Sequence, residues 1–218
     1  VRRRVVVTGI GVVSPLGCCA SSTWGNLISC KSGIRHIDTF DVSDMRSKVA
    51  GMLPAGDDGF KPDLYMEPAE QHKVDRFIVY AVAAASQAFN DAGFASLSNE
   101  QKCRTSVSIG SGIGGVSRLY DTSVTLHDEG ARRVNPFFIP SVLVNLASGH
   151  VAIQFGLRGV NYGVVSACSS GTHSIGEAFR SVRDGYSDFS LVGGAEFAVC
   201  PLGVAGFFAA RALSTKYN

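Results

Sequence analysis

GVNYGVVSACSSGTHSIGEAFRSVRDGYSDFSLVGGAEF, residues 159–197, decides the fold. It opens on an apolar run (GVNYGVVSACSSG) that breaks into a Ser/Gly/Thr turn. A helical segment follows at 174–185 (SIGEAFRSVRDG), and a second apolar run at 187–197 (SDFSLVGGAEF). Strand, helix and strand in that order predict a crossover unit with parallel strands. One cysteine, Cys168, stands at the end of the first strand, just before the helix.

The same alternation extends outward. RRRVVVTGIGVVSPLG (2–17) reads as a strand entering a turn, with Val5, Val6 and Val7 expected to be buried on both faces. TWGNLISCKSGI (23–34) predicts a short helix ending near Gly33. Residues 35–72 are rich in Asp, Gly, Pro and Met, and predict a surface excursion with little regular structure. DRFIVYAVAAASQAFNDAG (75–93) predicts a helix capped by Asp75 and ended by Gly93. RTSVSIGSGIGG (104–115) is a strand and glycine turn, and 116–130 a helix. Residues 135–157 predict a Pro-bounded loop and a helix of about four turns. The tail, 198–218, reads as an apolar loop and a short helix. Strands thus alternate with helices, which predicts a mostly parallel sheet covered by helices. Right-handed crossovers bring the strand C-terminal ends to one edge, where such sheets carry their chemistry.

Composition excludes several classes. Net charge is +2, so nothing points to nucleic acid. The basic Arg2–Arg4 run is read as a solvated strand entrance. No apolar run approaches the roughly 18 to 20 residues of a membrane span. The chain begins directly on a predicted strand, so no signal peptide is expected. The six cysteines form no CxxC and no zinc-ligand spacing with a His pair. They are expected to be reduced thiols, because 218 residues with 45% hydrophobic content bury a core without staples. GSGIGG lacks the full dinucleotide fingerprint and its ribose-binding acid, which argues against NAD.

Cys168 admits two readings. It is either a small buried hydrophobe or a nucleophile. Three features favour the second. A sharp bend with small neighbours leaves room for a substrate. Backbone N–H groups at Cys168 and Ser169 can face a developing oxyanion. The positive end of the following helix favours thiolate. Such a group accepts an acyl chain.

VVSACSSGTHSIG (164–176) resembles the nucleophile segment of the β-ketoacyl-[acyl-carrier-protein] synthases, the condensing enzymes of fatty-acid synthesis. VVVTGIGVVSPLG, IGSGIGG, NPFFIP, NLASGH and VGGAEF…PLGVAGFFAARALST follow in that family's order. The resemblance runs over essentially the whole chain and leans to the elongating type II enzymes. It implies an α/β, thiolase-like fold, with residues 1–218 as one half of the layered αβαβα arrangement. It also implies an acyltransferase activity: Cys168 takes an acyl group, malonyl-carrier protein loses carbon dioxide, and the carbanion attacks the acyl-cysteine. Cys168 matches the nucleophile. Ile113 and Phe207 match positions that shape the acyl pocket, and Phe138 the segment closing its end. No metal or organic cofactor is implied. The implied partners are acyl carrier protein and a second copy in a homodimer, with neither nucleic acid nor membrane. Lys73, Arg132 and Arg133 are candidates for docking the acidic carrier. The implied compartment is the bacterial cytosol, with the mitochondrial matrix as the alternative.

The family's two histidines, its lysine and its second oxyanion loop lie past the point where this sequence stops, so a half-site is expected. His36, His72, His127, His150 and His173 are each read as structural. Val160 stands where the family usually has Pro, and Thr172 where small residues are usual. The rival reading is a non-catalytic or partner-dependent subunit that needs a separate C-terminal half.

Overall fold

Residues 3–216 are described in a computed structural model of the chain. In chain order the elements are helix α1 (Ala20–Ile28), strands β1 (Ile34–His36) and β2 (Val49–Gly51), and helices α2 (Pro68–Gln71), α3 (Arg76–Asp91) and α4 (Asn99–Cys103). Strand β3 (Thr105–Gly110) follows, then helices α5 (Val116–Glu129), α6 (Phe138–Val142) and α7 (Leu146–Phe155). Strand β4 (Asn161–Tyr162), helix α8 (Ser170–Arg183), strand β5 (Phe189–Gly194) and helix α9 (Pro201–Ala209) complete the order.

The pleat of β3 organises the layers. Successive side chains of a strand point to opposite faces. Val107 and Ile109 enter a core built from Phe77, Ile78 and Val82 of α3 and Ala147 and Val151 of α7. Ser106 and Ser108 take the other side. Ser106 Oγ meets Ser190 Oγ of β5 at 2.6 Å. Ser174 of α8 donates to the Ser108 carbonyl and lies 3.0 Å from its hydroxyl. All six β3 residues are buried. Small serines on this face let α8 approach closely, while the large apolar side chains sit under α3 and α7. The sheet order is β4-β3-β5, with both pairings parallel. The predicted parallel sheet covered by helices is therefore present.

α3 matches its prediction closely. Asp75 accepts the Phe77 N–H at 3.2 Å as N-cap, and Gly93, just past the helix, has φ +69°. Asp75 also accepts the Arg118 N–H at 2.8 Å, so the same carboxylate pins the start of α5. Burial pushes its carboxyl above the ordinary aspartate range, opposed by those two N–H groups.

Several expectations need correcting. Of residues 2–17, those from Arg3 on form no strand. They run extended along α3 instead. The N–H of Ile10 goes to Asp91 Oδ2 at 2.9 Å, and that of Val12 to Gln87 Oε1 at 3.1 Å. A strand needs a partner backbone, and here helix side chains supply the acceptors. Val6 and Val7 are consequently 61% and 80% exposed rather than buried on both faces. Arg3 is not merely solvated: it pairs with Asp188 at 2.5 Å. Arg104 and then Arg3 hold that carboxyl down at about 2. Arg2 lies outside the described residues.

α1 ends at Ile28, short of Gly33, because Cys30 turns at φ +54°. The excursion at 35–72 holds more order than expected. β1 and β2 form an antiparallel ribbon across its start, and two helical turns and α2 follow. In 135–157 the expected Pro-bounded loop carries the short helix α6, and the helix after it, α7, spans ten residues, nearer three turns than four. The third strand pairs only at Asn161 and Tyr162, so Cys168 lies on a turn beyond the strand rather than at its end. Among the described residues, no helix is long and apolar enough to cross a membrane.

Candidate active site

Cys168 is an exposed free thiol on the turn that leads into α8. The turn is tightly braced. Ala167 has φ +51°, a left-handed conformation that is costly for a residue with a Cβ. The Ser170 hydroxyl holds it from both sides. It accepts the Ser166 N–H at 2.9 Å and donates to the Ala167 carbonyl at 2.6 Å. Two backbone bonds close the bend, from Ser169 N–H to the Ser166 carbonyl and from Ser170 N–H to the Ala167 carbonyl, both at 3.1 Å. The Ser169 amide is thus already used, and it is not one of two free oxyanion donors as expected. Ser166 Oγ is buried without a partner among the described residues.

Glycines seat this turn on the sheet. A Cβ on Gly110, at the end of β3, would stand 2.5 Å from the Ser170 carbonyl oxygen. A Cβ on Gly194, at the end of β5, would stand 2.8 Å from Gly171 Cα. Bare backbone at these positions lets the first turn of α8 rest directly on two strand ends. The N-terminus of a fourteen-residue helix therefore opens just past the sulfur.

The turn at 110–115 gathers three other motifs around Cys168's turn. At Gly112 the backbone lies so close to Ala167 that a Cβ would meet its carbonyl at 3.1 Å. Gly115 N–H donates to the Val142 carbonyl at the end of α6. Glu196, just past β5, accepts from Ser111 Oγ at 3.0 Å, Gly112 N–H at 2.7 Å and Ile113 N–H at 3.0 Å. Ile113 is thereby held beside the nucleophile's turn with its side chain open to solvent. Phe138 opens α6 and Phe207 lies in α9, and both helices pack on α5, which follows this turn directly. Ser170 and Glu196 are the residues that sequence reasoning missed as parts of the site. The signal for Glu196 was present, since it is a lone carboxylate inside the glycine-rich VGGAEF block.

The histidines do not gather here. His173 is on the exposed side of α8, whose inward residues are Ser170, Ser174 and Ala178. His127 pairs with Asp128, and His36 and His72 are exposed. Burial pushes the His150 imidazolium below the ordinary range, as for a neutral packing residue. Lys73, Arg132 and Arg133 line one open cleft of about 550 Å³ with His72, Asn135 and Phe137. Lys73 lies 5.3 Å from the Phe137 ring centroid.

Comparison with known proteins identifies the family. The family described as "Beta-ketoacyl synthase, N-terminal domain" matches residues 2–218. The chain is 49% identical to the 3-oxoacyl-[acyl-carrier-protein] synthase 2 of Rhizobium meliloti (strain 1021), covering 99% of this chain and 52% of that protein. It is 41% identical to the mitochondrial 3-oxoacyl-[acyl-carrier-protein] synthase of Arabidopsis thaliana, covering 99% and 50%. Among solved structures, the ishigamide ketosynthase/chain length factor superposes with a TM-score of 0.87 at 28% identity, covering 98% of this chain and 52% of that one. A type II PKS acyl-carrier protein in complex with its ketosynthase gives 0.80 at 21% identity, covering 95% and 55%. The fold is thiolase-like, and the chain spans about half the length of the curated relatives it matches. With the braced cysteine turn, the glycine turn and the carboxylate block found together, the chain belongs to the β-ketoacyl synthase family and carries its N-terminal domain.

Proposed function

We propose that this chain is the acyl-accepting half of an elongating 3-oxoacyl-carrier-protein synthase, with Cys168 as the nucleophile. The observation that carries the reading is the exposed thiol on a braced turn at the mouth of α8. Cys168 Sγ attacks the carbonyl of an acyl thioester. The bond from that carbonyl to the carrier's sulfur breaks, and the carrier leaves as a thiol with the proton. A malonyl thioester then loses carbon dioxide, and the electron pair of the broken C–C bond becomes an enolate. The enolate attacks the acyl carbonyl, the C–S bond breaks, and the Cys168 thiolate is restored. The thioester carbonyl delocalises the carbanion, so the chemistry calls for no added cofactor. The Cys168 amide is the oxyanion donor in this reading, since the Ser169 amide is engaged.

The acyl donor is a carrier protein docking at the cleft of Lys73, Arg132 and Arg133. The ketosynthase neighbour captured with its acyl-carrier protein supports that partner. Ile113, Phe138 and Phe207 shape the acyl pocket. Completion of the site by another segment, in the same polypeptide or a partner chain, is favoured by the apolar surface that Val6, Val7, Ile10, Trp24 and Ile28 expose. Homodimer formation and a bacterial cytosolic or mitochondrial setting belong to this proposal as what the family resemblance implies, and one similar protein, from Arabidopsis thaliana, is a mitochondrial synthase. The test is intact-mass analysis of the full-length protein after incubation with an acyl-carrier thioester. One acyl adduct that maps to Cys168 and vanishes in Cys168→Ala is expected. A folded protein that takes no acyl group rules the reading out.

A further inference from the structure

We infer that Glu196 is a positioning residue for the acyl pocket, holding the 110–115 turn so that Ile113 is correctly set beside the acylated cysteine. The inference rests on the acyl-cysteine reading above and deepens it.

The turn reads GSGIGG, and four of its six residues are glycine. Glycine has almost no backbone preference, so such a turn does not hold its own shape. Glu196 supplies what the sequence of the turn lacks. Its Oε1 accepts the Ser111 hydroxyl, and its Oε2 accepts two successive amides, Gly112 and Ile113. Ser111 Oγ in turn accepts the Gly114 N–H at 3.1 Å. One carboxylate thus organises four consecutive residues, directly or through one hydroxyl. Bonds from N–H groups to a carboxylate are stronger than those to a neutral acceptor.

The placement of Gly112 explains why a shift here reaches the nucleophile. A Cβ at Gly112 would meet Ala167 at 3.1 Å on one side and Glu196 Oε2 at 3.2 Å on the other. The turn is therefore wedged between the carboxylate and the strained residue that precedes Cys168. Glu196 is itself anchored, because the neighbouring Ala195 N–H donates to the Gly110 carbonyl at 3.0 Å. Without the carboxylate the turn gains freedom on the side facing the acyl chain. A long chain that must pass Ile113 is affected more than a short one.

The test uses the full-length protein with butyryl and lauroyl pantetheine thioesters, following acylation of Cys168 by intact mass. Glu196→Ala is expected to slow lauroyl transfer about tenfold while butyryl transfer stays within about twofold. Glu196→Gln keeps an acceptor oxygen for the Gly112 and Ile113 amides and is expected to restore the wild-type ratio. Hydrogen exchange gives a second readout: in Glu196→Ala the Gly112 and Ile113 amides lose protection while those of Val107 and Ile109 keep it. If the wild-type protein takes neither thioester, the acyl-cysteine reading fails and this inference with it. If the wild type takes both and Glu196→Ala slows both equally or neither, only the role of Glu196 is overturned. Loss of protection at Val107 and Ile109 as well would also overturn it, since the carboxylate would then be holding the sheet.

Discussion

Ser170 Oγ donates to the Ala167 carbonyl at 2.6 Å, and this bond spans the residues that carry Cys168. The same hydroxyl accepts the Ser166 amide, so one buried side chain closes the bend on both flanks. Ser170→Ala is expected to cost about 1–3 kcal/mol, because it leaves a backbone amide without its acceptor. Ala167 should then relax from its left-handed conformation, and acylation of Cys168 should slow about tenfold. Ser174→Ala is the control. It removes an equally buried hydroxyl bonded to Ser108, away from the bend, and should lower stability without changing the rate at Cys168. Equal effects of the two variants on acylation would disprove the clamp.

Gly110→Ala tests the seating of α8 on the sheet. The added methyl would stand 2.5 Å from the Ser170 carbonyl oxygen and 2.6 Å from its carbon, both backbone atoms that cannot swing aside. Overpacking of this kind costs about 1–3 kcal/mol. The unfolding free energy from urea melts should fall by that amount, and Cys168 should acylate more slowly as the turn lifts. A variant with wild-type midpoint and rate would show that the helix approaches the strand less closely than described.

A second thiol competes for labels. Cys19 caps α1, and its sulfur lies 3.2 Å from Ser21 Oγ and 3.1 Å from Ser22 Oγ. These bonds hold its thiol down at about 7. Its alkylation by iodoacetamide should reach half its maximal rate near pH 7, and Ser21→Ala should move that midpoint upward. A midpoint at the ordinary cysteine value of about 8.5 contradicts the capping bonds. Cys18, its neighbour, is pushed up by burial and should react later. Labelling of Cys168 is therefore best read in a Cys19→Ser background.

Asp75 joins α3 to α5 and does so while buried. Asp75→Ala is expected to cost about 1–3 kcal/mol, through loss of the cap and of the acceptor for Arg118. Asp75→Asn keeps an acceptor and should cost less. The pH dependence has a definite sign. The folded chain binds this proton more tightly than the unfolded chain, so the side chain's contribution is largest below the unfolded value of about 3.9. It declines as pH rises until Asp75 is ionised in the folded chain as well. The stability of wild type relative to Asp75→Asn should fall over that window in urea melts at stepped pH. A flat difference would mean that Asp75 titrates alike in both states.

The legible parts of this fold are the locally encoded ones. α3 could be read from one apolar face, an Asp at its start and a Gly just beyond its end, all within a single segment. β3 and β5 were legible as apolar runs with small residues at their ends. The extended stretch that includes Val5–Val7 has the same composition, yet no strand forms there. Whether an apolar run becomes a strand depends on a partner backbone, which its own residues do not specify. β4 shrank for the same reason: the Ile109 N–H goes to Ser148 Oγ rather than to the neighbouring backbone, so the ladder with β3 stops at Tyr162.

The site divides in the same way. Cys168 stood out in the sequence because strand, small residues and helix meet there within a few positions. The partner that shapes its surroundings did not, because Glu196 reaches Ser111, Gly112 and Ile113 across 83 to 85 residues of chain. The amino-acid order alone determined the longer helices, the central strands and the position of the thiol, since periodicity, caps and turn residues act over short separations. Only the tertiary structure decided which strands found partners, which amide near Cys168 was already used, and which carboxylate holds the glycine turn. Those outcomes depend on where distant backbone donors and acceptors come to rest, and that is settled by packing the sheet between its helices.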